Sequence, residues 1–175
     1  MSDDDTKSIA RYMTWATWLI VLGLLTLFFN NMLERDNNPN QNVSGTVSGD
    51  GIKQVVLTRN THGQYLSAGF INGQAVVFLL DTGATDVAIP AQVANRIGLK
   101  SGSPITYQTA NGSTVGYSTI LDSVTIGNIK LRNIRGGINP SMHNEYVLLG
   151  MAFLKHLEFT QSGNQLILRQ YPGGK

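Results

Sequence analysis

The sequence predicts an all-β domain with one or two short helices, preceded by a single transmembrane helix. Three features predict it: a charge-free apolar stretch near the N-terminus, short apolar or alternating runs from Gln54 onward, and turn residues between those runs. Composition agrees, since 42% hydrophobic residues, only 14% charged residues and 19 glycines describe a folded, turn-rich chain. At 175 residues there is room for one ordinary domain and an appendage.

The apolar stretch comes first. No charge occurs between Arg11 and Glu34, and the 18 residues 12–29 are mostly apolar. As a helix they extend roughly 27 Å at about 1.5 Å per residue, close to a bilayer core. Tyr12, Trp15 and Trp18 stand near one end and Phe28 and Phe29 at the other, where interfacial aromatics belong. A cleaved signal peptide would have a small-x-small site, which Phe28-Phe29-Asn30-Asn31-Met32 does not offer. A buried core helix is the other alternative, but this run is apolar nearly all round and is followed by a polar spacer, so it would have little to pack against.

The expected division is therefore a cytoplasmic tail (1–11), a membrane anchor (12–33), a flexible linker (34–52) and a β domain (53–175). Lys7 and Arg11 precede the anchor and only Arg35 follows closely, which puts the N-terminus in the cytoplasm. In a bacterium the domain would then stand in the periplasm, held at the inner membrane. Asn, Gly, Ser and one Pro dominate 34–52, the composition of a tether.

Within the domain, strands are expected at 55–59, 65–71, 75–80, 105–110, 115–126, 129–134, 146–149 and 165–169. Asn-Gly at 72 and 111, Gly127-Asn128 and Ser162-Gly163-Asn164 supply the turns. Pro90 at a first helical position, 91–97 and Gly98 as a stop describe one short helix, and 151–157 another.

Charge and side-chain chemistry exclude several classes of function. From Lys53 onward there are ten Lys/Arg against five carboxylates, but they are scattered and no aromatic-basic stripe suggests nucleic acid. Lys130, Arg132 and Arg135 read as the solvated face of a strand. The absence of cysteine excludes thiol catalysis and disulfides. His62, His143 and His156 occur singly, without metal-ligand spacing, so no metal is expected.

The segment that carries chemistry is Val76-Val77-Phe78-Leu79-Leu80-Asp81-Thr82-Gly83-Ala84-Thr85. Five apolar residues in a row fit a strand buried on both faces, which would deliver Asp81 to a buried floor. An Asp after a strand is ordinarily a surface turn cap, because a buried carboxylate is costly. Here the preceding run is longer and more apolar than a surface turn needs.

Leu79-Leu80-Asp81-Thr82-Gly83-Ala84 resembles the active-site segment of retropepsins and of their bacterial membrane-tethered relatives. Val147-Leu148-Leu149-Gly150, followed by a short helix, resembles the segment that packs beneath that family's catalytic loop. Thr109-Ala110-Asn111-Gly112 lies where the family places its substrate-covering flap. The resemblance covers roughly residues 65–170.

It implies a closed β-barrel of the retropepsin type and hydrolysis of peptide bonds by two aspartates sharing a water, with no cofactor. Two carboxyl groups about 3 Å apart cannot both ionise, so one serves as base while its partner serves as acid. With one Asp-Thr-Gly per chain, the second aspartate must come from a second copy, in a homodimer with its site on the two-fold axis. By this resemblance Asp81, Thr82 and Gly83 are catalytic, and Thr109, Ala110, Asn111 and Gly112 bind a protein or peptide substrate. Ala84, Thr85, Leu148, Leu149 and Gly150 support them, with Thr85 a candidate hydrogen-bond partner of the carboxylate. Viral members commonly carry Asp where Thr85 stands and Arg-Asn where Met151-Ala152 stands. The alternative function is a non-catalytic peptide- or protein-binding module on the same fold, or an envelope protein that uses it to associate.

Overall fold

A computed structural model describes residues 3–109 and 112–173, side chains of 3–10, 31, 108 and 109 excepted. It divides the chain into two compact units, residues 1–37 and 38–175.

The first unit is one helix, α1 (Asp3–Asn37), longer at both ends than the span read from sequence. Its stretch Arg11–Asn37 is long and apolar enough to cross a membrane, by length and composition. Trp15, Trp18, Leu22 and Phe28 on it are all exposed.

The second unit is mostly β. Its strands are β1 (Gly45–Val47), β2 (Lys53–Thr58), β3 (Leu66–Ile71), β4 (Gln74–Leu80), β5 (Val87–Pro90), β6 (Pro104–Thr109), β7 (Gly112–Ile126), β8 (Ile129–Asn139), β9 (Tyr146–Leu149), β10 (Glu158–Ser162) and β11 (Gln165–Gln170). Two short helices, α2 (Ala91–Arg96) and α3 (Met151–Leu154), complete it. Pro90 ends β5 and stands as the N-cap residue of α2, one place earlier than expected.

A seven-stranded sheet runs β3-β4-β9-β5-β8-β7-β6, and β3 also pairs with β7 through Phe70–Thr125 and Ile71–Val124. That return to β7 needs Gly69, where a Cβ would press on the Thr125 carbonyl and the Phe78 ring. The β3–β4 turn is Asn72-Gly73, both with positive φ, as a tight two-residue hairpin requires. The core inside this sheet includes Ile71, Phe78, Ile89, Leu121, Ile126, Ile129 and Phe153, all with no exposed surface.

Residues 38–52, expected as tether, are partly built into the domain. Asn40 is buried; its side chain accepts from the Thr58 amide (2.7 Å) and donates to the carbonyls of Thr58 (2.8 Å) and Leu66 (2.6 Å). β1 pairs with β2 in a four-stranded sheet, β1-β2-β11-β10. Polar composition concealed this, because Asn40 contributes hydrogen bonds and not apolar area.

Candidate active site

Asp81 owes its position to two strands. β4 runs parallel to β9, with Leu79 opposite Leu148 and Leu80 opposite Leu149, and the Asp81 amide extends the ladder to the Leu149 carbonyl at 3.2 Å. The chain then turns. The Gly83 amide donates to Asp81 Oδ1 at 2.9 Å, and the Ala84 amide to the Asp81 carbonyl at 3.2 Å. A Cβ on Gly83 would stand 3.2 Å from that same Oδ1, so glycine keeps the carboxylate's approach open.

The turn rests on the start of α3. Met151 and Ala152 donate their amides to the carbonyls of Ala84 and Thr85, both at 2.8 Å. Gly150 lies so close that a Cβ there would collide with the carbonyl oxygens of Ala84 and Asp86. Leu148, Leu149 and Gly150 thus lie directly against the loop that carries Asp81.

Two details differ from expectation. β4 alternates: Val76 and Phe78 are buried while Val77, Leu79 and Leu80 are half-buried, so the run is not covered on both faces in a single chain. Asp81 is accordingly half-buried, not sealed beneath a floor. Among the described residues its carboxylate accepts from Gly83 and not from Thr85, whose side chain is exposed.

Asp81 opens onto a cleft of about 670 Å³, also lined by Gly83, Ala84, Thr85, Leu148 and Gly112. Thr82 is exposed beside it. Thr109 pairs with Gly112 across the hairpin that overhangs the cleft; Ala110 and Asn111 lie outside the described residues. Gly112 has φ +105°, which favours glycine there.

Several residues of the cleft escaped sequence reasoning. Tyr107 of β6 lines it, as do Asn139 at the end of β8 and Ser141 and Met142 just after. Thr114 and Ser141 share a hydroxyl–hydroxyl bond of 2.7 Å, which ties the hairpin to that loop. Asp86, only 11% exposed, accepts from Arg135 Nε at 2.6 Å. Burial, and then the Asp86 carboxylate, push the Tyr107 phenol above its ordinary pKa, while Arg135 opposes them. Residue type alone held a signal only for Tyr107, an aromatic four residues before an Asn-Gly turn.

Comparison with known proteins identifies the class. Residues 67–156, just over half the chain, match the family described as "gag-polyprotein putative aspartyl protease". The chain belongs to this family and is an aspartic peptidase with a retropepsin-like fold. A retropepsin-like aspartic protease from Rickettsia conorii superimposes with a TM-score of 0.59 at 29% identity, covering 74% of this chain and 96% of that one. An uncharacterized protein from the cobV 5' region of a Sinorhizobium species is 29% identical over 157 residues, 83% of this chain and 67% of its own length. Uncharacterized protein RP867 of Rickettsia prowazekii is 28% identical over 123 residues, 69% of this chain. The chain spans about two thirds and about half, respectively, of those two relatives.

Proposed function

We propose that this chain is a membrane-anchored endopeptidase whose working form is a homodimer, with the two Asp81 carboxyls activating one water between them. The observation that carries the reading is the place of Asp81: on a backbone-braced turn, at the mouth of a cleft large enough for a peptide, with Thr82 and Gly83 exposed beside it. A single chain offers that cleft one uncommitted carboxylate, because Asp86 is held by Arg135. Two carboxyls are needed for acid and base together, so the second copy follows from the chemistry.

On this reading Gly83 lets two loops approach, Thr82 bonds across the axis, and the hairpin 109–112 covers bound peptide. The strand circuit completed by β3 and β7 is the retropepsin barrel. α1 holds the domain at the membrane, with the N-terminus cytoplasmic and the domain on the periplasmic side of a bacterial inner membrane.

The test uses the full chain in neutral detergent and a library of peptides. Asp81→Asn should leave the melting temperature within a few degrees and reduce turnover by about a thousandfold. Mixing wild type with a ninefold excess of that variant should lower activity per wild-type chain about tenfold, since most wild-type copies then face an Asn. Unchanged cleavage in either experiment would dismiss the shared-water mechanism; retention of peptide binding with no turnover in the wild type would favour a binding module.

A further inference from the structure

We infer that the cavity between β8 and the end of α3 binds a phosphate group, carried by a soluble phosphate or by a lipid headgroup. This site shares no lining residue with the cleft, although Arg135 reaches Asp86 of the cleft wall, and it does not depend on the proteolytic reading.

The cavity originates in a slip of one residue. Along β8 Ile129 is buried and Leu131 half-buried, but Arg132 and Asn133 are both exposed, and Ile134 is buried again. Strict alternation would turn Ile134 out and Arg135 in. Asn133 takes φ +55°, a left-handed conformation in mid-strand, and the apolar phase shifts there. Arg132 and Arg135 thereby line one wall of a cavity of about 260 Å³, with Lys155 and His156 on the other.

Its charge is balanced only in part, by Asp86 on Arg135. Three permanent cations and a histidine line it, and no carboxylate does. Among the described residues Arg132 and Lys155 have no ion-pair partner, and Arg135 gives only Nε to Asp86. Cations gathered around a small concavity repel unless an anion joins them. The fork of Arg132, the remaining Nη edge of Arg135 and the Lys155 ammonium suit the several oxygens and double charge of phosphate better than a single carboxylate. The volume is ample for one such group.

The test titrates the full chain in neutral detergent with inorganic phosphate at constant ionic strength, following the phosphorus resonance and the melting temperature. Binding should saturate, weaken about tenfold or more in the Arg132→Gln/Lys155→Gln chain, and persist in Lys130→Gln, which alters the same strand outside the cavity. Should the double variant fail to fold, Arg132→Lys in a folded chain must still weaken binding by removing the fork. A response that never saturates, or that falls equally in Lys130→Gln, overturns the site. Nanodiscs of phosphatidylcholine with and without phosphatidic acid identify the source: a headgroup ligand abolishes the response to inorganic phosphate, and a soluble ligand leaves it intact.

Discussion

The phenol of Tyr107 occupies the space where a side chain on Gly137 would begin. Gly116 flanks the same ring, and a Cβ there would come within 2.9 Å of it. The ring of β6 is thus seated in a slot made by a glycine of β7 and a glycine of β8, which fixes the stem of the hairpin over the cleft.

Gly137→Ala should therefore expel the ring and lower stability by about 1–3 kcal/mol, the range for overpacking a filled site. In a Tyr107→Ala background the same change should cost far less, because its obstacle has gone. Urea midpoints for the four proteins of this double-mutant cycle measure the coupling.

The phenol also sets an alkaline limit. Its folded-state pKa is raised, first by burial and then by Asp86, so the folded chain holds this proton more tightly than the unfolded one. The resulting stability is complete below the unfolded value of about 10 and is lost as pH rises through the folded value. Tyr171, raised by its hydrogen bond to Glu158, adds the same sign at an exposed site. Urea unfolding from pH 9 upward should show stability declining above pH ~10, with a shallower slope in Tyr107→Phe. Arg135→Gln should move the Tyr107 titration further up, and Asp86→Asn should move it down, as read by ultraviolet absorbance of phenolate.

Gly150→Ala meets backbone oxygens, which cannot swing aside as a side chain would. A loss of at least about 2 kcal/mol is expected, together with most peptide cleavage, because the loop bearing Asp81 must shift. Melting temperature and turnover should fall together.

Asn40→Ala leaves an amide and two carbonyls of the domain without their partner. The expected cost is about 2–3 kcal/mol, seen as a lower urea midpoint at unchanged slope. Asn42→Ala, at an exposed position two residues on, should have almost no effect.

Much of the β domain was legible because its strands alternate between apolar and polar residues and end in Asn, Gly or Pro. β9 falls on the expected residues 146–149, and β4 and β11 differ by one residue at one end. β10 was not legible, since Glu158–Ser162 is exposed throughout and lacks an inward row. β8 was expected to stop at 134, because the slip at Asn133 breaks the period and Gly136-Gly137 reads as a break; both glycines instead give room to neighbours from other strands. The Asp81 turn and Leu148-Leu149-Gly150 could be recognised as local words. Ser141 and the Asp86–Arg135 pair could not, because each gains its place from a partner at least 27 residues away, and Tyr107 offered only its type and its place before the Asn-Gly turn.

The seam between the Asp81 loop and α3 is stitched by main-chain groups: two amides, from Met151 and Ala152, and two carbonyls, from Ala84 and Thr85. Peptide groups are the same in every residue, so the seam is blind to which side chains hang from it, provided position 150 stays bare. Exposed Thr85 can therefore change while the carboxylate keeps its aim, whereas Ala152 is held by the core it is buried in and not by the seam.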